Sequence, residues 1–234
     1  MFAGAMLLVG CGGRNTGSNV QSPGEAETAK TKVLETGTEL LQSKAPINAM
    51  NVYMDGFHFY NGNMKGQMEA HHYCSVVNED LNQCVIFDGN SANSKLMGVE
   101  YIVSAKIYQT LPAEEKKLWH SHVYEVKSGQ LVAPGIPQIA EHAFMQKIAG
   151  TYGKTWHTWH TFTADGQINP ALVEDRDKRF KISSDEKKND RANLNYPAID
   201  PDADSWHTGK VLQLSLGPLT KEALAAMQGD HAGH

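Results

Sequence analysis

Basic charge is in short supply in this chain. Lys and Arg number 21 against 26 Asp and Glu, for a net charge of -5 over 234 residues. With no basic stripe to neutralise phosphates, nucleic acid is ruled out as the expected partner. Long apolar runs are also missing. The most apolar stretch, residues 1–10 (MFAGAMLLVG), is about half of the roughly 20 residues that span a bilayer, and nothing further along the chain is longer. No Gly-x-Ser-x-Gly occurs, which argues against an α/β-hydrolase lipase. Gly153-Lys154-Thr155 lacks the upstream glycine of a phosphate loop, since Ile148 stands at that position. No internal repeat is present. Cysteine is scarce: beyond Cys11 there are only Cys74 and Cys84.

The length suits one domain with a real core, and 41% hydrophobic with 20% charged residues is the composition of a folded globular chain. Residues 1–10 have the length and apolarity of a secretory signal core. Leu8-Val9-Gly10-Cys11 resembles the bacterial lipobox, which implies cleavage before Cys11 and a diacylglyceryl thioether on its sulfur. Several acyl chains anchor a protein firmly where a single chain is marginal. The expected partner is therefore a membrane, held through lipidated Cys11. Gly12, in the place where Asp signals inner-membrane retention, points to the outer membrane of a bacterial envelope, facing the periplasm. The basic residues expected before a signal core are missing, as they would be if the start were assigned too late. Residues 11–24, rich in Gly, Ser and Asn, read as a flexible tether.

From residue 25 to about 220 the pattern is that of one α+β domain, a mostly antiparallel sheet with a few flanking helices. Ser22-Pro23-Gly24-Glu25 is a helix start with Ser as N-cap and Pro at the first position, followed by Val33, Leu34, Leu40 and Leu41 at helical spacing. Residues 52–60 read as strand, turn, strand, with Asp55-Gly56 as the turn. Strands are expected over 68–74, 83–87, 96–103, 122–126, 155–163 and 211–216. A short charged helix opens at Pro112, and Ile139, Ala143, Phe144 and Ile148 mark a helix that stops at Gly150. The mixed-charge run 174–191 reads as a solvated insertion or loop, and 221–234 as a frayed tail.

The residues that invite chemistry are histidines. His71-His72-Tyr73-Cys74 and Trp119-His120-Ser121-His122 are dense clusters. On an extended chain His120 and His122 face one side, a two-His half-site that suits a transition metal such as Zn. A third ligand would come from His71 or His72. Only one of those two neighbours can share the site, because adjacent strand residues face opposite ways. Glu100, Glu125 and His157 are further candidates. The arrangement resembles cupin metal sites, except that Glu125, three positions past His122, faces away on a regular strand. The alternative is that these histidines are core residues bonded to backbone. Cys74 and Cys84, on either side of a hairpin through residues 78–82, are either a disulfide or a buried thiol pair, and His72 and Cys74 share a face.

Several motifs occur together and in order: Asp55-Gly56-Phe57-His58, Glu69-Ala70-His71-His72-Tyr73-Cys74, Asn78-Glu79-Asp80, Gln83-Cys84, Gly98-Val99-Glu100-Tyr101-Ile102, Trp119-His120-Ser121-His122, Glu125-Val126-Lys127-Ser128-Gly129 and Tyr152-Gly153-Lys154. Together they resemble the oil-body-associated protein family, also called domain of unknown function 1264, over roughly residues 30–219. The resemblance implies association with a lipid surface, as for plant members at seed lipid droplets. It brings no established catalytic activity and so no catalytic residue. A non-catalytic binding or structural role is the leading expectation, and a His-ligated metal-binding protein or metalloenzyme the alternative. Two features depart from the family: the lipobox leader, and the stretch after Trp159 with its mixed-charge run. Because Cys74 and Cys84 sit within the family pattern, and plant members work beside a reducing cytosol, the resemblance argues against a disulfide as their shared purpose.

Overall fold

In a computed structural model of the chain, the described residues are Ser18, 24–60, 63–158, 170–201 and 203. The signal and lipobox with Cys11, almost all of the tether, Trp159 and His160, the strand expected at 211–216 and the tail lie outside them. The architecture is α+β, as the sequence pattern predicts. Six strands form one antiparallel sheet: β1 (Val52–Tyr60), β2 (Asn63–Asn78), β3 (Leu81–Phe87), β4 (Leu96–Ser104), β6 (Thr151–His157) and the two-residue β5 (His120–Ser121), in that spatial order. The first four strands form a meander. The chain then leaves the sheet through α3 (Ala105–Thr110), α4 (Ala113–Lys116), β5, α5 (Val123–Lys127) and α6 (Gln138–Ala149), and re-enters as β6 beside β4. Ahead of the sheet lie α1 (Ala29–Leu41) and α2 (Ala45–Asn48), and beyond β6 come α7 (Pro170–Phe180) and α8 (Ser184–Asp190).

The sheet curls. Just past α5, Val132 pairs antiparallel with Asp55 on the free edge of β1, and two backbone hydrogen bonds of 2.8 Å close the pair. The segment 120–133 thus touches β6 at one end and β1 at the other, bridging the two edges of the sheet.

That bridge explains why Asp55-Gly56 is not the turn the sequence suggests. Asp55 is paired on both sides, to His71 of β2 and to Val132, so its backbone groups are satisfied in the middle of a continuous strand. The first helix begins later than its Ser-Pro signal, at Ala29, where the Thr28 side chain accepts from the Thr31 amide. The strand expected at 122–126 is instead α5, with only His120 and Ser121 extended.

Register puts Met54, His72, Ile86, Gly98 and His157 in one cross-strand row, and Val52, Cys74, Cys84, Glu100 and Thr155 in the next. These rows face the inside of the curl. There Met54, Cys74, Cys84 and Ile102 pack with Val126 of α5, Leu131, and Met145 and Ile148 of α6 into the main core. On the other face Val103 and Tyr152 pack with Tyr108 of α3 and Trp119.

The mixed-charge run 174–191 differs most from its sequence reading. It forms α7 and α8, and both Arg176 and Arg191 are fully buried. Arg176 donates to Asp55 Oδ1, to the carbonyls of Gln130 and Gly129, and to Ser184 Oγ. Arg191 donates to the carbonyls of Val126 and Leu131 and to the buried carboxylate of Glu141. Buried charge persists because these donors have acceptors, Arg191 Nε alone of the two guanidinium groups having none among the described residues. The two helices are thereby pinned to the loop that bridges the sheet edges.

Candidate metal centre

The inner face carries an unusual polar load. His58, His72, Glu100, His120, His122 and His157 are all buried. Glu100 is the hub. Its Oε2 lies 3.1 Å from His72 Nε2, and its Oε1 lies 3.5 Å from His120 Nε2 and 3.4 Å from His122 Nε2. His58 Nε2 is 3.0 Å from His72 Nε2, and His58 Nδ1 is 2.9 Å from His157 Nε2. The donor atoms of His58, His72 and Glu100 lie within 4.8 Å of one another, as do those of Glu100, His120 and His122.

Strand parity delivers His58, His72, Glu100, His120 and His157 to this face, and the turn into α5 delivers His122 and Glu125. His122 ends the extended segment and caps α5, with its amide bonded to the Thr151 carbonyl. One helical turn later Glu125 swings back, and its Oε1 lies 3.8 Å from His120 Nε2. The expectation that Glu125 faces away assumed a strand; at i+3 on a helix it faces the same side as His122. Gly153 makes the space. A Cβ there would stand 2.1 Å from Glu100 Oε1 and 2.7 Å from both His120 Cε1 and His122 Nε2. A cavity of about 10 Å³ lies among His58, His72, Glu100, His122, Glu125 and Leu131. That is room for one water-sized particle and not for an organic substrate.

The outer hydrogen bonds decide which way the imidazole lone pairs point. His72 Nδ1 lies 3.1 Å from the Ala70 carbonyl, which can only accept, so Nδ1 carries the proton. His122 Nδ1 lies 2.8 Å from Thr151 Oγ1, whose own hydroxyl donates to the Ile148 carbonyl at 2.6 Å, so here too Nδ1 is the donor. In a neutral ring the opposite nitrogen is then an acceptor. Both Nε2 lone pairs therefore lie beside the Glu100 carboxylate, acceptor against acceptor, and a proton on each ring or a metal ion relieves the clash; at His72 the alternative donor to the lone pair is His58 Nε2, 3.0 Å away. His120 Nδ1 and Thr155 Oγ1, both buried, make no hydrogen bond among the described residues.

The electrostatics are those of a dry, charged pocket. Burial pushes the Glu100 pKa up, but His122 and His72 outweigh it and hold the carboxyl well below its usual range. Burial pulls His122 down, yet Glu100 and Glu125 leave it raised. Burial, helped by the charge of His122, drives His120 down to about 4. Burial and the neighbouring rings of His72 and His157 push His58 well below its ordinary value. Neutral imidazole is the ligating form, and desolvation favours it at His58 and His120.

His71 is not part of this centre. As the neighbour of His72 on a strand it faces the opposite side, where Nδ1 lies 2.7 Å from Tyr53 Oη and 3.0 Å from Asp55 Oδ2. Asp55, Glu69 and His71 also bring three possible ligand atoms together. Guanidinium groups already meet that charge: Arg176 lies on Asp55 at 3.2 Å, and Arg179 reaches both oxygens of Glu69 at 2.7 and 2.6 Å. The structure joins Cys74 and Cys84 in a disulfide across β2 and β3, in the row that continues to Glu100. His58 is the ligand candidate that sequence reasoning missed. Its signal was its place in the Asp55-Gly56-Phe57-His58 motif, at the same strand parity as Met54 on the inner face.

Comparison with known proteins follows the same residues. The family described as "Protein of unknown function (DUF1264)" matches residues 44–162, which hold every member of the cluster. The chain is 40% identical over 218 residues to oil body-associated protein 1B of Arabidopsis thaliana, covering 86% of this chain and 90% of that protein. It is 39% identical over 216 residues to oil body-associated protein 1A of Zea mays, covering 85% and 90%. It is 34% identical over 209 residues to oil body-associated protein 2C of Arabidopsis thaliana, covering 81% and 88%. No solved structure matches the chain.

Proposed function

This chain belongs to the DUF1264 family together with the oil body-associated proteins, and from that premise we propose that it is a metal-binding protein whose ligands are drawn from His72, Glu100, His120 and His122, with His58 adjoining. One observation carries the reading: the outer hydrogen bonds of His72 and His122 turn two Nε2 lone pairs onto one buried carboxylate. Outer-shell acceptors that fix the ring tautomer are the usual companions of ligating histidines. An imidazole-rich set with one carboxylate suits a divalent transition ion such as Zn²⁺. The small cavity favours holding an ion over turning over an organic substrate.

The test is elemental analysis of the purified full chain after incubation with Zn, Cu, Fe or Ni and removal of excess, beside the His120→Ala/His122→Ala variant. Metal retained by the wild type and lost or greatly reduced in the variant is the expected result. A wild-type chain that holds none of the four ions overturns the reading and leaves Glu100 paired with imidazolium groups.

A second reading concerns where the protein works, and α1 favours it. No residue of this helix is buried, and Val33, Leu34, Leu40 and Leu41 are 59–87% exposed along one face. Relatives are named for oil bodies, and we infer that this face lies on a lipid surface, to which lipidated Cys11 would add an anchor. Vesicle flotation of a Cys11→Ala chain separates the two contributions. Flotation that persists, and is lost on adding Leu40→Asp/Leu41→Asp, supports the helix face. A Cys11→Ala chain that stays with the soluble fraction sinks it.

A further inference from the structure

Resting on the metal reading above, we propose that the centre is dinuclear, with Glu100 bridging two ions: one held by His58 and His72 on the Oε2 side, the other by His120 and His122 on the Oε1 side with Glu125 as its second carboxylate.

The first ground is how the ligands divide. His72 is nearest Oε2 of Glu100, whereas both His120 and His122 are nearest Oε1. The two groups of mutually close donor atoms, His58–His72–Glu100 and Glu100–His120–His122, share only Glu100. A carboxylate whose two oxygens serve different ligand sets is placed to bridge, and bridged ions stand about 3.5–4 Å apart.

The second ground is edge length. Two donors each about 2.1 Å from one ion lie roughly 3.0 Å apart at a right angle and about 3.4 Å apart at the tetrahedral angle. On the Oε2 side the edges are 3.0 Å (His58 to His72) and 3.1 Å (His72 to Glu100). On the Oε1 side they are 3.4 Å (His122 to Glu100), 3.5 Å (His120 to Glu100) and 3.8 Å (His120 to Glu125). Four of these five edges, 3.0–3.5 Å, are close to the expected range, and the longer His120–Glu125 edge means that Glu125 would move inward to join its ion.

The third ground is that both sets have outer support. His157 Nε2 accepts from Nδ1 when His58 ligates through Nε2, as the Ala70 carbonyl does for His72 and Thr151 Oγ1 for His122. Charge also balances better with two carboxylates than with one: Glu100 and Glu125 offset half of the four positive charges of two divalent ions.

The deciding measurement is metal stoichiometry on the full chain, stripped with chelator and titrated with Zn²⁺, then repeated with Mn²⁺ for electron paramagnetic resonance. Two Zn²⁺ per chain at saturation, with the exchange-coupled spectrum of a close Mn²⁺ pair, are expected. His58→Ala is expected to hold one ion and to lose the coupling. One Zn²⁺ per chain with an uncoupled Mn²⁺ spectrum overturns the dinuclear centre and leaves the metal reading standing. No bound metal overturns both. The wild-type stoichiometry decides alone, so the result does not depend on whether a variant folds.

Discussion

At the scale of single residues, the centre depends on an atom that is missing. Gly153 sits in β6 opposite Ile102 and His120, and its want of a side chain is what lets Glu100, His120 and His122 meet. Two of the three obstructing atoms, Glu100 Oε1 and His122 Nε2, are donor atoms themselves, and the third is a ring carbon of His120. Gly153→Ala is therefore expected to displace Glu100 Oε1 and His122 and to lower metal affinity by about 100-fold or more, the upper end of what disturbed ligand support costs. Overpacking there is expected to cost about 1–3 kcal/mol of stability. Isothermal titration with Zn²⁺ measures the first and urea unfolding the second. Unchanged affinity in a folded Gly153→Ala chain would mean the ligands do not converge at that point. Parity made much of this legible: strand alternation predicts that His71 and His72 part company, and Glu100 and His157 are recognisable as candidates. His58 was legible only in part: parity puts it with Met54 on the inner face, but only the curl of the sheet brings a residue from the far end of β1 beside His72.

At the scale of elements, sequence pattern served where one face is buried and failed where tertiary contacts overrule local signals. The α6 helix, with Ile148 and Met145 inward and Gly150 at its end, follows its apolar spacing. The meander β2–β3–β4 follows its alternation. Asp55-Gly56 carries a turn signature, yet Val132 supplies a second ladder partner and the strand runs through. Residues 122–126 have alternating character, but Val123 and Val126 both need burial, and three-residue spacing satisfies that as α5. The α5 turn is also what brings Glu125 to His120, so an error of element type became an error about a ligand. The mixed-charge run was opaque for a different reason. Composition counts Arg176 and Arg191 as solvated charge, and nothing local reveals that Asp55, Glu141 and four backbone carbonyls await them inside.

At the scale of the whole molecule, the proposed ligands are spread across the fold. His58 comes from β1, His72 from β2, Glu100 from β4, and His120 and His122 from β5 and the cap of α5. Ions bound by these side chains would join strands near both edges of the curled sheet, and so would resist its opening. The unfolded chain holds no such convergence, so binding free energy becomes folding free energy. With free Zn²⁺ at about 100 times Kd, one ion adds about 2.7 kcal/mol of stability, and two independent ions about twice that. Without metal, the Glu100 carboxylate and the imidazoles around it are left buried with only shared protons to compensate them, a costly state. The midpoint of chemical unfolding is therefore expected to fall on chelation, to recover on adding Zn²⁺, and to rise further with the logarithm of free Zn²⁺. His120→Ala/His122→Ala is expected to respond at most weakly. The Cys74–Cys84 disulfide closes a short local hairpin, with a sequence separation of 10, and Cys84 is the cross-strand partner of Glu100, so its removal is expected to lower the midpoint and to change the size of the Zn²⁺ response as well. A wild-type midpoint indifferent to chelator and to Zn²⁺ would mean that the cluster holds the sheet together by its own hydrogen bonds alone.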